Sequence, residues 1–307
     1  MNHKISLLLP TRGRPLLVKR LFQSIIDYTT DLDNLEIIMY LDEDDHESHG
    51  IEDSRLHIIK KIGPRSTMGT YNTKCFEGSS GDIIMLMNDD LVILTPGWDR
   101  IIVDHFKSIS DGIYLAYPND SEAGHRMCTF PIMPRKTCEI LSKPYPKEYE
   151  ALFIDVHIFD VFLRLKHLGY DRMFYLKDVV FDHRHFINGK VRVDANYLNK
   201  DRYKDGVTFT SLRHLRQISA KRLLGAIQGK PLPGFPDSIA MEKPPKNLAH
   251  AVIHYFSVFL TDYGLPLTWR LLWFVRYTKY FAAMKSGFGF LKRKSYTLYG
   301  CGINNRV

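Results

Sequence analysis

The sequence predicts an α/β fold: a Rossmann-like, mostly parallel central sheet flanked by helices, with a C-terminal helical extension. Three observations carry this. Short apolar runs alternate with helically spaced segments over the first hundred residues, and strand–helix–strand order implies right-handed crossovers. Acidic clusters at 42–45 and 88–90 directly follow two of the apolar runs, where open α/β sheets bind their ligands. The last third has a different charge balance, since residues 212–307 carry 15 Lys and Arg against 3 Asp and Glu, and residues 1–211 carry 27 against 31.

In chain order, Ile5–Leu9 is a buried strand ending at Pro10, and Pro15–Tyr28 has helical spacing through Leu17, Leu21 and Ile25. Leu35–Leu41 is a second strand, running into Asp42-Glu43-Asp44-Asp45. Leu56–Lys60 is a weaker third strand. Met68–Glu77 reads as a helix closed by Gly78-Ser79-Ser80-Gly81. Asp82–Met87 is a fourth strand, and Asn88-Asp89-Asp90 stands at its end. Further on, Gly112–Tyr117 and Phe130–Pro134 are strands, Thr137–Ser142 and Ala151–Leu168 helices, and Phe174–Leu176 and Val179–Phe181 strand fragments before Asp182-His183-Arg184-His185. Ser211–Gln228 is a basic helix. Five prolines within 231–246 mark a linker. Asn247 can cap a helix through Leu260. In 266–285, Trp269, Trp273, Tyr277, Tyr280 and Met284 form one stripe at helical spacing. The expected division is 1–210, 211–246 and 247–307.

With 307 residues, 45% hydrophobic and 25% charged, the chain can bury a core, which excludes a disordered or collagen-like protein. Cys75, Cys128, Cys138 and Cys301 form no CxxC pair, so neither a zinc knuckle nor a disulfide framework is expected. A reducing, cytoplasmic setting follows. The N-terminal apolar run is too short for a signal peptide. No uninterrupted apolar stretch approaches the ~18–20 residues of a spanning helix.

The strongest chemical signal is Asn88-Asp89-Asp90. An Asp pair after a strand is mostly an acidic turn, but the surrounding order of features lifts it. Adjacent carboxylates at a strand end suit a hard divalent cation, Mn²⁺ or Mg²⁺, that also binds a diphosphate. On these residues the chain resembles the GT-A nucleotide-sugar glycosyltransferases, family 2 in particular, over roughly residues 3–190. Pro10-Thr11-Arg12-Gly13-Arg14 matches the turn after the family's first strand, and Asp42 its nucleobase-side acid. Gly69, Asn72 and Gly81 fit the helix before the metal strand, and Asn88-Asp89-Asp90 the Asp-x-Asp motif. Asp155 and His183 or His185 fall where the family places a catalytic acid and a later His.

The resemblance implies a metal-dependent, inverting transfer from a nucleotide-diphospho-sugar, UDP-sugar favoured, to a glycan or lipid-linked hydroxyl, as in polysaccharide biosynthesis. Residues 1–210 would be the catalytic domain. Because Asn88 replaces the motif's first Asp, Asp90 is the expected metal ligand, with His183 or His185. Pro10, Thr11, Arg12, Asp42, Arg65, Asn72, Asn88 and Asp89 are the expected donor contacts. Asp155 is the expected base, with Asp160 and Asp171 behind it. Asp155 sits among Phe153, Ile154, Val156 and Ile158, although a first-turn helix acid also explains it. Asn119–Arg126 and Arg135 would line the acceptor side.

The basic, aromatic tail has three readings: peripheral membrane contact through 247–300 by its aromatics and the Lys292-Arg293-Lys294 run, nucleic-acid binding, or packing on the catalytic domain or a homodimer partner. Membrane contact, at the cytoplasmic face, is the expectation. The acidic balance of residues 1–211 argues against nucleic acid. A sugar-phosphate nucleotidyltransferase shares the fold, but needs a Gly-rich signature with a Lys where Pro10–Pro15 stands.

Overall fold

A computed structural model describes residues 3–184 and 202–285 of the chain. Eight strands form the sheet: β1 Ile5–Pro10, β2 Leu35–Asp42, β3 Ile58–Gly63, β4 Ile83–Leu86, β5 Leu91–Ile93, β6 Leu115–Asn119, β7 Ile132–Pro134 and β8 Met173–His183, in the order β3-β2-β1-β4-β7-β6-β8-β5. The β3-β2-β1-β4 half is parallel, and β6 runs parallel to β8. Only β7 and β5 run against their neighbours. The helices are α1 Pro15–Tyr28, α2 His46–His49, α3 Met68–Glu77, α4 Trp98–Ser108, α5 Arg135–Leu141, α6 Ile154–His167, α7 Arg202–Ser211, α8 Arg213–Ile227, α9 Leu248–Tyr255 and α10 Leu267–Lys285.

Local chemistry explains the best-defined ends. Pro15 opens α1, where its missing N–H costs nothing. Thr67 caps α3 by accepting from the Thr70 N–H at 3.2 Å. Asn247 caps α9 by accepting from the His250 N–H at 2.9 Å, as its sequence position suggests. Gly69 lets α3 press on the 146–149 loop: a Cβ there would lie 1.9 Å from the Pro146 carbonyl oxygen.

Four features differ from what the sequence suggests. The fragments at 174–176 and 179–181 are one strand, β8, with a register shift where Pro118/Asn119 meets Leu176/Val180. Its second half pairs with β5, a strand of three residues. Helix α4 has no counterpart among the elements expected from the sequence; its Trp98 is buried and donates to the Thr29 hydroxyl at 3.0 Å. The basic helix expected at 211–228 is α8, and a further helix that the sequence does not suggest, α7, runs up to it and ends at Ser211.

The fourth difference concerns the tail. The aromatic stripe of α10 points into the protein: Trp273 and Tyr277 are each 2% exposed, and Tyr280 is buried. Trp273 and Tyr277 meet Phe209 of α7, and Trp269 meets Phe159 of α6. These rings are core residues, so they are not the membrane anchors the sequence suggests. Helical periodicity identifies a buried face without saying what buries it. The same apolar cluster contains Leu8, Ile84 and Leu115 of the sheet, so residues on both sides of the 210/211 boundary share it. The Lys292-Arg293-Lys294 run lies outside the described residues.

Buried charges fasten the tail as well. Arg164 of α6 donates to Asp160 at 2.6 Å and reaches Asp262, just before α10, through both terminal nitrogens at 3.0 and 2.7 Å. Arg216 of α8 donates to Asp160 at 2.8 Å and to the Phe209 carbonyl at 2.6 Å. Two guanidinium and two carboxylate groups thus compensate one another inside the protein, a satisfied arrangement that is costly to break at any member.

Candidate active site

The carboxyl ends of β1, β2, β4 and β6 lie along one edge, and the expected site residues gather there. The basic turn after β1 is tied to its acidic neighbours. Thr11 donates to Asp89 at 2.8 Å and Arg14 to Asp89 at 2.9 Å. Arg12 donates to Asp42 at 2.7 Å and grips Asp44 through both terminal nitrogens. Gly13 N–H donates to Asp45 at 2.7 Å. Asp42 also accepts from the Tyr71 hydroxyl at 2.6 Å, and the Tyr40 and Tyr71 rings lie 4.6 Å apart. The Asp44 pairing and, more weakly, Asp42 raise the Arg12 pKa against burial.

Other expected donor contacts are placed differently. Asn72 is buried, and its amide donates to Met68 O of its own helix at 3.0 Å. Asn88 and Arg65 are exposed, with Arg65 in the field of Asp44. Pro10 ends β1.

The β5–β8 ladder brings Asp90 and His183, two of the expected metal ligands, together. It sets Leu91 opposite His183, and Arg184 N–H donates to Asp90 O at 2.8 Å. The His183 Nε2 therefore stands 3.3 Å from Asp90 Oδ1, with both side chains mostly buried. Burial pushes the His183 imidazole down, but Asp90, then Asp120 and Glu122, outweigh it and leave it raised. A carboxylate oxygen and an imidazole nitrogen converging in this way fit a cation of the Mn²⁺ class. Asp89 is not part of this pair, because Thr11 and Arg14 occupy its two oxygens. Among the described residues no group of three or more His, Cys, Asp or Glu gathers for a metal. His185 lies outside the described residues.

Asp155 is delivered by an unusual turn. Phe153, just before α6, has φ +70°, a left-handed conformation rarely held by a bulky residue. Asp155 then accepts from the Val156 N–H at 2.8 Å. Burial pushes its carboxyl up to about 6, against the pull of the Val156 N–H and the nearby His183. At neutral pH such a group is ionised yet basic enough to take a proton.

Two further aspartates support this region. Asp205 of α7 accepts from the Glu150, Ala151 and Leu152 N–H groups at 2.7, 2.9 and 2.8 Å, clamping the loop that leads to Phe153. Asp120 accepts from the Glu122, Ala123 and Gly124 N–H groups and the Thr129 hydroxyl, shaping the loop after β6. The Asn-Asp-Ser run at 119–121 is typical turn chemistry and could have flagged Asp120. Asp205 resembles any helix-surface acid in the sequence.

Three expectations fail on geometry. Asp160 is consumed by Arg164 and Arg216. Asp171 pairs with Lys166 just before β8, at the opposite sheet edge from the site. Arg135 follows β7, which runs antiparallel to β4 and so ends at the wrong edge for acceptor contact. There it donates to Gly81 O at 2.7 Å and lies over the Phe76 ring.

No protein-family model and no curated protein sequence matches the chain. Solved structures do. The 1–349 portion of TarS from S. aureus, in complex with UDP-GlcNAc, aligns over 96% of this chain and 89% of that one at 11% identity, TM-score 0.53. A second structure of the same portion aligns at TM-score 0.51 and 12% identity over 96% and 89% of the two chains. The chain has a GT-A fold. The mannosyltransferase PcManGT from Pyrobaculum calidifontis, in complex with GDP-Man and Mn²⁺, aligns over 97% of this chain and 79% of that one at 12% identity, TM-score 0.49.

Proposed function

We propose that the protein is a metal-dependent glycosyltransferase that moves a sugar from a nucleotide-diphospho-sugar, a UDP-sugar first, to a hydroxyl of a glycan or lipid-linked glycan, with inversion. The observation that carries this is the Asp90–His183 pair, 3.3 Å apart, on the same sheet edge as Asp155 and Asp42. Asp42, Tyr71 and Arg12 form the nucleobase side, and Asp90 and His183 hold the cation, Mn²⁺ or Mg²⁺. Bound there, the ion supplies positive charge to the departing diphosphate. Asp155 takes the proton of the acceptor hydroxyl as its oxygen attacks the anomeric carbon. The bond from that carbon to the diphosphate oxygen breaks, and the nucleoside diphosphate leaves. Burial suits Asp155 to this task, because a carboxyl near pKa 6 holds the proton better than one in water.

Residues 1–210 are read as the catalytic unit, with 211–246 and 247–307 appended. Contact with the cytoplasmic membrane face fits a lipid-linked acceptor and the basic last third. Among the described residues no helix is long and apolar enough to cross a membrane.

The deciding experiment is calorimetry of UDP with and without Mn²⁺ in wild type, Asp90→Ala and His183→Ala. Mn²⁺ should tighten UDP binding in wild type and not in the variants. Equal affinity in every titration removes the metal role. A nucleotide-sugar hydrolysis screen with Mn²⁺ then identifies the donor.

A further inference from the structure

Of the fifteen large hydrophobic side chains exposed among the described residues, eight fall within 248–275. Six of these eight form two rows at i, i+4 spacing: Leu248, Val252 and Phe256 along α9 and its continuation, and Leu267, Leu271 and Val275 along α10. The Phe256 ring meets Phe274 edge-on at 6.4 Å between centroids, which joins the rows into one face. Phe256 is 53% exposed and Leu267 57%. The opposite side of the same helix pair carries Tyr255, Phe259, Trp273 and Tyr277, which pack inward. The hairpin is thus apolar on both sides, and only one side is covered within the described structure.

Its charge says what would cover the other. From 243 to 285 the chain holds Lys243, Lys246, Arg270, Arg276, Lys279 and Lys285 against one acid, Asp262. Asp262 is buried and paired with Arg164. At the edge of the face, Glu242 stands 3.4 Å from His254. Lys243, Lys246 and Lys279 are exposed; Lys246 directly precedes the α9 cap Asn247, Lys279 follows Val275 by one helical turn, and Arg213 of α8 lies beside the face, donating to Val258 O at 2.9 Å. An exposed apolar face accompanied by exposed lysines, with no exposed acid between 243 and 285, matches an anionic bilayer: apolar side chains enter the acyl boundary while basic ones meet lipid phosphates.

We infer that the α9–α10 hairpin docks the protein on anionic membrane through the Leu248–Val252–Phe256 and Leu267–Leu271–Val275 rows, and not through its tryptophans. The inference deepens the membrane contact proposed above and does not depend on the reaction.

The test is flotation of the full chain with vesicles of 70% neutral and 30% anionic phospholipid. Wild type should float at low salt, less at high salt, and at least tenfold less with purely neutral vesicles. Phe256→Glu/Leu271→Glu should lower the bound fraction at least tenfold. Lys243→Glu/Lys246→Glu/Lys279→Glu, which leaves the buried aromatic side intact and reports even where the first variant misfolds, should abolish the preference for anionic lipid. Both should bind UDP as wild type does, which separates this inference from the donor reading. Absence of wild-type flotation, or wild-type flotation by the lysine variant, overturns the proposal. So does light scattering that shows a dimer made monomeric by Phe256→Glu/Leu271→Glu, since a second copy then covers the face.

Discussion

Glu36, buried, and Asp155, half-buried, are carboxylates near opposite edges of one sheet, and their surroundings treat charge in opposite ways. Glu36, 1% exposed at the start of β2, accepts from the Ser6 and Ser80 hydroxyls and the Ser80 and Gly81 N–H groups, and pairs with Lys4 at 2.6 Å. Burial works against its charge, but Lys4, Ser6 and Ser80 prevail and hold the carboxyl at about 2. The Asp155 carboxylate accepts one hydrogen bond among the described residues, and burial lifts it to about 6. The amino edge is built to keep its charge satisfied. The carboxyl edge leaves a charge under-satisfied, which a proton can relieve.

That contrast can be broken at either end. The largest expected effect is on turnover: Asp155→Asn should lose ~10²–10⁴-fold with UDP affinity unchanged by calorimetry. It should also melt no lower than wild type at pH 7.5, because the asparagine relieves a half-buried, under-satisfied charge. A fall in melting temperature with turnover retained would make Asp155 the structural acid. Glu36→Gln should do the reverse, costing about 3 kcal/mol in urea unfolding while activity per folded molecule stays. The pH dependence has a definite sign: the folded pKa of Glu36 is depressed, so its stabilisation is present above about 4.5 and lost as pH falls towards about 2. Urea midpoints at pH 7, 4 and 3 should therefore converge between wild type and variant.

Asp205→Ala joins the two ends of the comparison. It orphans three N–H groups and should cost about 2–3 kcal/mol. It should also lower kcat with little change in donor KM, because the loop before Asp155 loosens. If kcat per folded molecule is unchanged, the clamp serves stability alone. The smallest effect is expected at Arg65, which is exposed: Arg65→Ala should change thermal stability by less than about 0.5 kcal/mol.

Much of the carboxyl edge was legible because it is local. Pro15 and Thr67 open α1 and α3 where the residues say they should, and each acidic cluster follows its own strand. What was not legible depends on distant pairing. Leu91–Ile93 is too short to announce a strand, yet its ladder with β8 is what brings His183 to Asp90. The direction of β7 decides which edge Arg135 reaches, and nothing near Arg135 encodes it. Asp205 acts on a loop more than fifty residues earlier. The α10 stripe was seen as a stripe, but its partner is α6 and α7 rather than a bilayer.

The buried charge cluster also imposes an order on the birth of the protein. Asp160 and Arg164 are one helical turn apart and can pair as soon as α6 forms, whereas Asp262 lies 98 residues beyond Arg164. At ~5–20 residues per second of synthesis, about 5–20 s separate the two. Throughout that interval the nascent chain carries Arg164 and, later, Arg216 against Asp160 alone, an excess positive charge that resists enclosure. Arrival of Asp262 neutralises it, which ties the seating of the helix bearing Asp155 to the emergence of the hairpin.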